Sequence, residues 1–193
     1  MELTLNTKWL HALRLLAPKN DTRTYLNGVF VDAKNQRHPK LVAMDGCMLG
    51  VLDVRGHEAD EALQVRIPHE MLKLLPKASD VVLRKVGNGQ WEIGYVRFQM
   101  PPEGYPDWSR PLPAKCNGEA AHYDPRRLAA FLDVAHALGA PKRPASAAPF
   151  ELAQNGPSCA LVSVPACPEF IGGLMPYRSA SANLISATPE WAK

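Results

Sequence analysis

Asp45 and Gly46 stand between two short apolar runs, residues 41–44 and 48–54, and no other stretch constrains the fold as strongly. An Asp-Gly pair accommodates the positive backbone angles of a tight turn, and β-type runs on either side make it a hairpin signal. Upstream, residues 24–32 alternate around Gly28 and read as a further strand of the same meander. A helix precedes it. Asn6 or Thr7 can cap this helix, and Pro18 stops it near Ala17. Trp9, Leu10, Leu13 and Leu16 share one side of it. Lys8, His11 and Arg14 lie on the other, with Leu15 the one misfit.

The pattern recurs. Residues 2–6 alternate as a short strand before the first helix, and residues 63–67 do the same before a second, residues 69–75, with Pro68 at its first turn. The second helix is expected to bury Met71, Leu72, Leu74 and Leu75 and to expose His69 and Lys73. Residues 81–86 and 91–100 read as strands joined at residues 87–89. Residues 101–113 are too rich in proline for a regular element. A third helix is capped by Asp124, carries Pro125 first and ends at Gly139, with Leu128, Phe131, Leu132, Ala135 and Leu138 inward. After a small-residue loop at 141–148, three short strands follow at 150–153, 159–164 and 170–175. Strand, helix and strands thus recur near residues 1–55, 63–113 and 121–178, as one supersecondary unit used three times. The expected class is α+β.

Composition removes several function classes. Of 193 residues, 46% are hydrophobic and 21% charged, which suits a globular protein. No apolar run approaches the ~20 residues of a membrane span, and the N-terminus lacks a signal-peptide pattern. A cytoplasmic protein without a membrane partner is expected. Cys47, Cys116, Cys159 and Cys167 are widely spaced and read as buried or inert thiols in a reducing compartment. No glycine-rich loop with a lysine cradles phosphate, the histidines do not pair at ligand spacing, and Asp45 reads as a turn former. No catalytic residue, metal or cofactor is therefore expected, and the chain does not read as an enzyme. A net charge of +3 leaves a local basic surface as the route to nucleic acid.

Four segments, in this order, resemble the bacterial sliding clamp, the beta subunit of DNA polymerase III. Tyr25, Leu26, Asn27 and Gly28 resemble its Tyr-Leu-Asn-Gly strand, and residues 41–49 its Asp-Gly-His-Arg-Leu segment. Gly104 through Arg110 resemble its Phe-Pro-Asp-Tyr segment, and Leu174 through Arg178 its C-terminal Met-Pro-Met-Arg. Residues 65–68 also look like its strand-Pro-helix junction. The resemblance implies the DNA-clamp fold, in about one and a half domains. Residues 1–113 would be a complete domain of the middle type, 121–178 half a terminal domain and 179–193 a flexible tail. There are departures. The family's His-Arg after Asp-Gly is Cys47 and Met48 here, its preceding Thr is Met44, and the second Met of its terminal motif is Tyr177.

What the resemblance implies is a non-catalytic replication or repair accessory protein. Small basic helices would meet the phosphates of double-stranded DNA without reading sequence, through Lys8, His11, Arg14, Lys73, Lys77 and Arg126, and more weakly Arg23 and Tyr25. An apolar pocket would accept short linear motifs of DNA polymerase, clamp loader or repair proteins. Its wall would be Leu26, Met44, Gly46, Met48, Leu49, Pro106, Arg110, Pro111, Leu174, Met175, Pro176, Tyr177 and Arg178. The third unit, unpaired within one chain, is expected to leave a sheet edge and an apolar helix face exposed. A homo-oligomer follows, in which the third units of two chains pair about a two-fold axis as a dimer and two such dimers, a tetramer, would close a ring around DNA. The alternative is a non-ring interaction protein that keeps the pocket and sequesters or regulates replication proteins.

Overall fold

A computed structural model describes residues 2–100, 104–142 and 148–177. In chain order the elements are β1 (Glu2–Asn6), α1 (Thr7–Arg14), a 3-10 turn (Thr24–Leu26), β2 (Gly28–Ala33), β3 (Lys40–Met44) and β4 (Met48–Asp53). Then come β5 (Leu63–Pro68), α2 (His69–Leu72), β6 (Asp80–Gly87), β7 (Gln90–Ile93) and β8 (Val96–Gln99). The last group is α3 (Pro125–Leu138), β9 (Glu151–Ala153), β10 (Ala160–Ser163) and β11 (Phe170–Leu174).

The strands make two antiparallel sheets, ordered β1-β6-β7-β8 and β5-β2-β3-β4-β11-β10-β9. The opening strands are exchanged: β1 pairs with β6 of the second unit, and β5 pairs with β2 of the first. Each exchange covers a sheet edge that would otherwise stand open. The Asp45–Gly46 hairpin forms as expected, with the Asp45 amide donating to the Met48 carbonyl at 3.1 Å and Gly46 at φ +90.

Side-chain alternation divides the long sheet into two faces. Val29, Val31, Leu41, Ala43, Leu52 and Phe170 point to the main core, where α1 and α3 contribute Leu10, Leu13, Phe131 and Val134. Phe30, Val42, Met44, Leu49 and Val51 point the other way, under Tyr105, Trp108 and Leu112 of the proline-rich segment. Tyr105 stacks on Phe30 at 4.3 Å, and the Trp108 indole donates to Asp32 at 2.9 Å. This segment is the lid of the outer face.

The third unit joins the first, so the expected exposure of its apolar helix face does not occur, while β9 stands as an unpaired edge of the long sheet among the described residues. β11 pairs with β4 along its full length, from Phe170 opposite Leu52 to Leu174 opposite Met48, and α3 buries Phe131, Val134, Ala135 and Leu138. At this seam Gly50 lies opposite Gly172. A Cβ on Gly50 would stand 2.4 Å from Cδ1 of Leu16, and one on Gly172 would stand 2.6 Å from Cε1 of Phe131. The two bare positions let both helices sit directly on the joined sheet.

Other expectations need correction. Residues 24–26 form a 3-10 turn, and the strand begins only at Gly28. Residues 91–100 are two strands, broken at Gly94, whose φ of +59 reverses the chain. The first helix ends at Arg14 and the second at Leu72. In the second, His69 is buried and Leu74 is 55% exposed, the reverse of the periodicity reading, because one helical turn is too short to hold a face. On α3, Val134 is fully buried while Leu128 and Leu132 are half-buried. Residues 121–123 form no strand, so the third unit lacks its opening element. Residues from 178 onward, with Arg178 and the expected tail, lie outside the described residues, as do 143–147 of the expected loop.

Candidate functional site

Two surfaces collect the residues singled out from the sequence. The first is a concavity of about 490 Å³ among the helices, lined by Lys8, His11, Arg14, Lys73 and Lys77, with Leu15, Leu75 and Ala137 as its apolar floor. α1 places Lys8, His11 and Arg14 there because Asn6 caps it, accepting from the Lys8 amide at 3.0 Å, and its apolar side faces the core. Lys8 reaches the last carbonyl of α3, Nζ donating to Leu138 at 3.3 Å, where a helix C-terminus favours a cation. His11 Nε2 bonds the Pro76 carbonyl at 2.9 Å, so this nitrogen carries a proton. Lys73 pairs with Glu70 at 2.8 Å. Arg14 Nε is buried without a hydrogen-bond partner among the described residues. Beside these cations sits the buried His69, whose pKa is pushed below the ordinary imidazole value, first by burial and then by Arg14 and Lys73.

Three members of the expected DNA-contacting set lie elsewhere. Arg126 sits at the N-terminus of α3, its side chain 90% exposed, and forks onto Asp124, whose carboxyl it holds down at about 2. Leu138, which holds Lys8, is at the opposite end of that helix. Arg23 is bound to Asp21 at 2.8 Å and lies over the Asp45–Gly46 turn, donating to the Asp45 carbonyl. Tyr25 packs with the outer-face cluster.

The second surface is a small cavity of about 50 Å³ on the outer face, lined by Met44, Gly46, Cys47, Met48, Leu49, Pro111, Cys159, Gly173 and Met175. Asp45 shapes its rim, its carboxylate accepting from the Cys47 amide at 2.7 Å and the Met48 amide at 2.5 Å. The Met175 amide donates to the Cys47 carbonyl at 2.8 Å, tying the residue after β11 to the turn before β4. Six expected wall residues meet here: Met44, Gly46, Met48, Leu49, Pro111 and Met175. Leu26 and Leu174 do not line it; Leu26 is buried in the outer-face cluster and Leu174 in the main core. Pro106 and Arg110 are exposed and outside the lining. Pro176 follows Met175 half-buried, and Tyr177 is 58% exposed, its amide held by the His122 carbonyl at 2.6 Å. Cys47, Cys159 and Gly173 are lining residues that sequence reasoning missed. Cys159 carried no signal beyond its place at the head of a short strand.

The joined sheet carries helices on one face and a capped pocket on the other. No protein-family model matches the chain, and a comparison with curated proteins finds no match. Solved structures do match. The DnaN sliding clamp (DNA polymerase III subunit beta) of Bartonella birtlesii, bound to griselimycin, is 16% identical with a TM-score of 0.67, and the match covers 92% of this chain and 66% of that one. The DNA polymerase III subunit beta of Pseudomonas aeruginosa is 15% identical, TM-score 0.67, over 93% of this chain and 67% of that one. That of Borrelia burgdorferi, in complex with a natural product, is 11% identical, TM-score 0.66, over 92% and 64%. The chain therefore has the fold of bacterial DNA polymerase III beta clamps and spans about two thirds of their length. No helix among the described residues is long and apolar enough to cross a membrane.

Proposed function

We propose that the chain is a non-catalytic, sliding-clamp-like accessory protein of DNA replication or repair. It meets duplex phosphates with its helical face and captures short peptide motifs of partner proteins on its outer face. One observation carries this reading. Cations drawn from the first helix and from the segment that follows the second share one concavity, while an apolar cavity opens on the opposite face of the same sheet. Lysine, arginine and histidine grouped without a base-reading element suit sequence-independent, salt-dependent contact with phosphate. The outer cavity is too small as it stands for a leucine or aromatic anchor, since a benzene-sized guest needs roughly 150 Å³. Met48 and Met175, which line it, are half-buried, and unbranched thioethers adapt to varied side chains at low cost. The domain organisation proposed is a complete clamp-like domain, residues 1–113, extended by a half domain, residues 121–178. A ring then requires copies of this chain, two symmetric dimers closing as a tetramer.

Two measurements test the reading. A fluorescent clamp-binding peptide should bind the wild type and lose at least about tenfold in affinity in Leu49→Asp, which places a charge against a desolvated anchor. Equal affinity in that variant and in Met175→Ala would remove the pocket. Retention on nicked circular DNA but not on linear DNA is expected of a ring. Peptide binding with no DNA retention would instead favour the non-ring interaction protein.

A further inference from the structure

The first two units exchange their opening strands by one rule applied in both directions. Asn6, the last residue of β1 and the cap of α1, lies opposite Asp80, which begins β6, the first strand after α2. Pro68, the last residue of β5 and the cap of α2, lies opposite Gly28, which begins β2, the first strand after α1. One residue further on, the Thr7 amide donates to the Ser79 carbonyl at 2.9 Å and the His69 amide to the Asn27 carbonyl at 3.3 Å. The first helical residue of each unit is thus pinned just ahead of the other unit's strand. The inward residues beside the caps meet in matching pairs, Leu5 on Val81 and Ile67 on Val29, and α1 touches α2. Two units related in this way form one closed domain.

The third unit has the same parts, and among the described residues nothing completes them. β9, the first strand after α3, pairs with β10 on one side and is the edge of the long sheet on the other. Residues 121–123 lead into Asp124, the cap of α3, without forming a strand. The Tyr177 amide takes the His122 carbonyl at 2.6 Å, which turns the backbone groups of Tyr123 to the opposite side, where a strand can add. On that side the Ala121 amide is held by a side chain, Gln154, at 2.8 Å. Leu132 of α3 is half-buried yet belongs to neither core cluster. The opening strands of the first two units are already spent on each other, so a further like unit comes from a second chain. We propose that two copies of this chain associate through their third units about a two-fold axis. Residues 121–124 of each pair antiparallel with β9 of the other, and the two α3 helices meet along Leu132. The rule of the first two units sets the register: Asp124 opposite the partner's Glu151, Tyr123 opposite the partner's Leu152 and His122 opposite the partner's Ala153. Burial alternates in the matching phase, with Tyr123 and Leu152 half-buried and His122 and Ala153 exposed. The one like-charged pair, Asp124 with Glu151, lies where Arg126 is already forked onto Asp124. The inference rests on the reading that a ring is built from copies of this chain, and it supplies one of the joints.

The test uses the full chain. Light scattering at micromolar concentration should give an even multiple of the chain mass, and Leu132→Glu, confirmed as folded by circular dichroism, should halve it. Two variants then test the register, His122→Cys and Ala153→Cys, each in a background freed of the two half-buried thiols by C47S and C116S. Directly opposed Cα atoms in an antiparallel pair stand about 4.5–5.5 Å apart, within reach of a disulfide. Mixed and mildly oxidised, the two variants should form a disulfide-linked heterodimer, and neither should form a covalent dimer alone. A stable monomer, a mass unchanged in Leu132→Glu, or a mixture without the cross-link would overturn the interface. So would a link between positions 122 and 153 within one doubly substituted chain, which would put a segment of the same chain on β9. Peptide binding by a chain that stays monomeric would overturn the interface alone, whereas a cross-linked dimer that is not retained on circular DNA would leave the interface and remove the ring.

Discussion

Gly172→Ala tests the packing that joins the third unit to the first. The added Cβ would lie 2.6 Å from Cε1 of Phe131 and 3.0 Å from Cβ of Val162. Carbon atoms pack at about 3.5–4.0 Å, so the ring must retreat by roughly 1 Å. Phe131 is 0% exposed and cannot swing into solvent, and the Val162 contact is next to backbone. Overpacking of this kind costs about 1–3 kcal/mol. Removing a glycine from the unfolded chain returns about 0.4–1 kcal/mol. The overpacking wins, and the net loss is about 1–2 kcal/mol, or roughly 2–8 °C in Tm for a chain of this size. Gly50→Ala is gentler, because its new methyl would meet the ends of flexible side chains, Cδ1 of Leu16 at 2.4 Å and Cδ2 of Leu13 at 3.0 Å. Urea unfolding at constant m-value gives both numbers. Phe131→Leu in the Gly172→Ala background should recover part of the loss. A Gly172→Ala protein as stable as the wild type, or a double-mutant cycle without coupling, would refute the reasoning.

Three further outcomes are expected. Asn6→Ala removes the cap of α1 and its 2.8 Å bond to Asp80, lowering stability by about 1 kcal/mol in urea titration. His69 has a folded pKa below its unfolded value, so below about pH 6.5 the unfolded chain binds a proton that the folded chain refuses. Stability should therefore fall as pH drops from 7 towards 5, and the slope should flatten in a His69→Leu variant that still folds; an unchanged slope would rule out His69 as the cause. Lys77→Ala should weaken DNA binding alike on unrelated duplexes and reduce the salt slope by about 1, whereas a sequence-dependent loss would contradict a phosphate contact.

Local chemistry made much of the fold legible. The Asp45–Gly46 turn, the Asn6 and Asp124 caps, and Gly139 at φ +119 closing α3 are all decided within a few residues, and each stands where the sequence places it. The errors cluster where local signals are weak. Residues 69–75 are too short for periodicity to distinguish His69 from Leu74, and Trp91 to Met100 alternates straight through a turn that only Gly94 betrays. Among the site residues, the cations of α1 were readable because an amphipathic helix declares its wet face. Pro106 and Arg110 were carried along with a motif whose structural work falls to Tyr105 and Trp108.

The sequence by itself determined most of the elements, the recurrence of short strands and helices as a repeated unit, and the cationic side of the first helix, since turn, cap and period are written in neighbouring residues. Only the tertiary structure decided that β11 zips onto β4, since the glycine pair at the seam acquires meaning from Leu16 and Phe131 packed above it. That pairing bonds Met175 to Cys47 and places Cys159 in the same cavity lining as Met48. Residues more than a hundred positions apart carry no local signal of their meeting, and their chemistry as a group exists only once the sheet is joined.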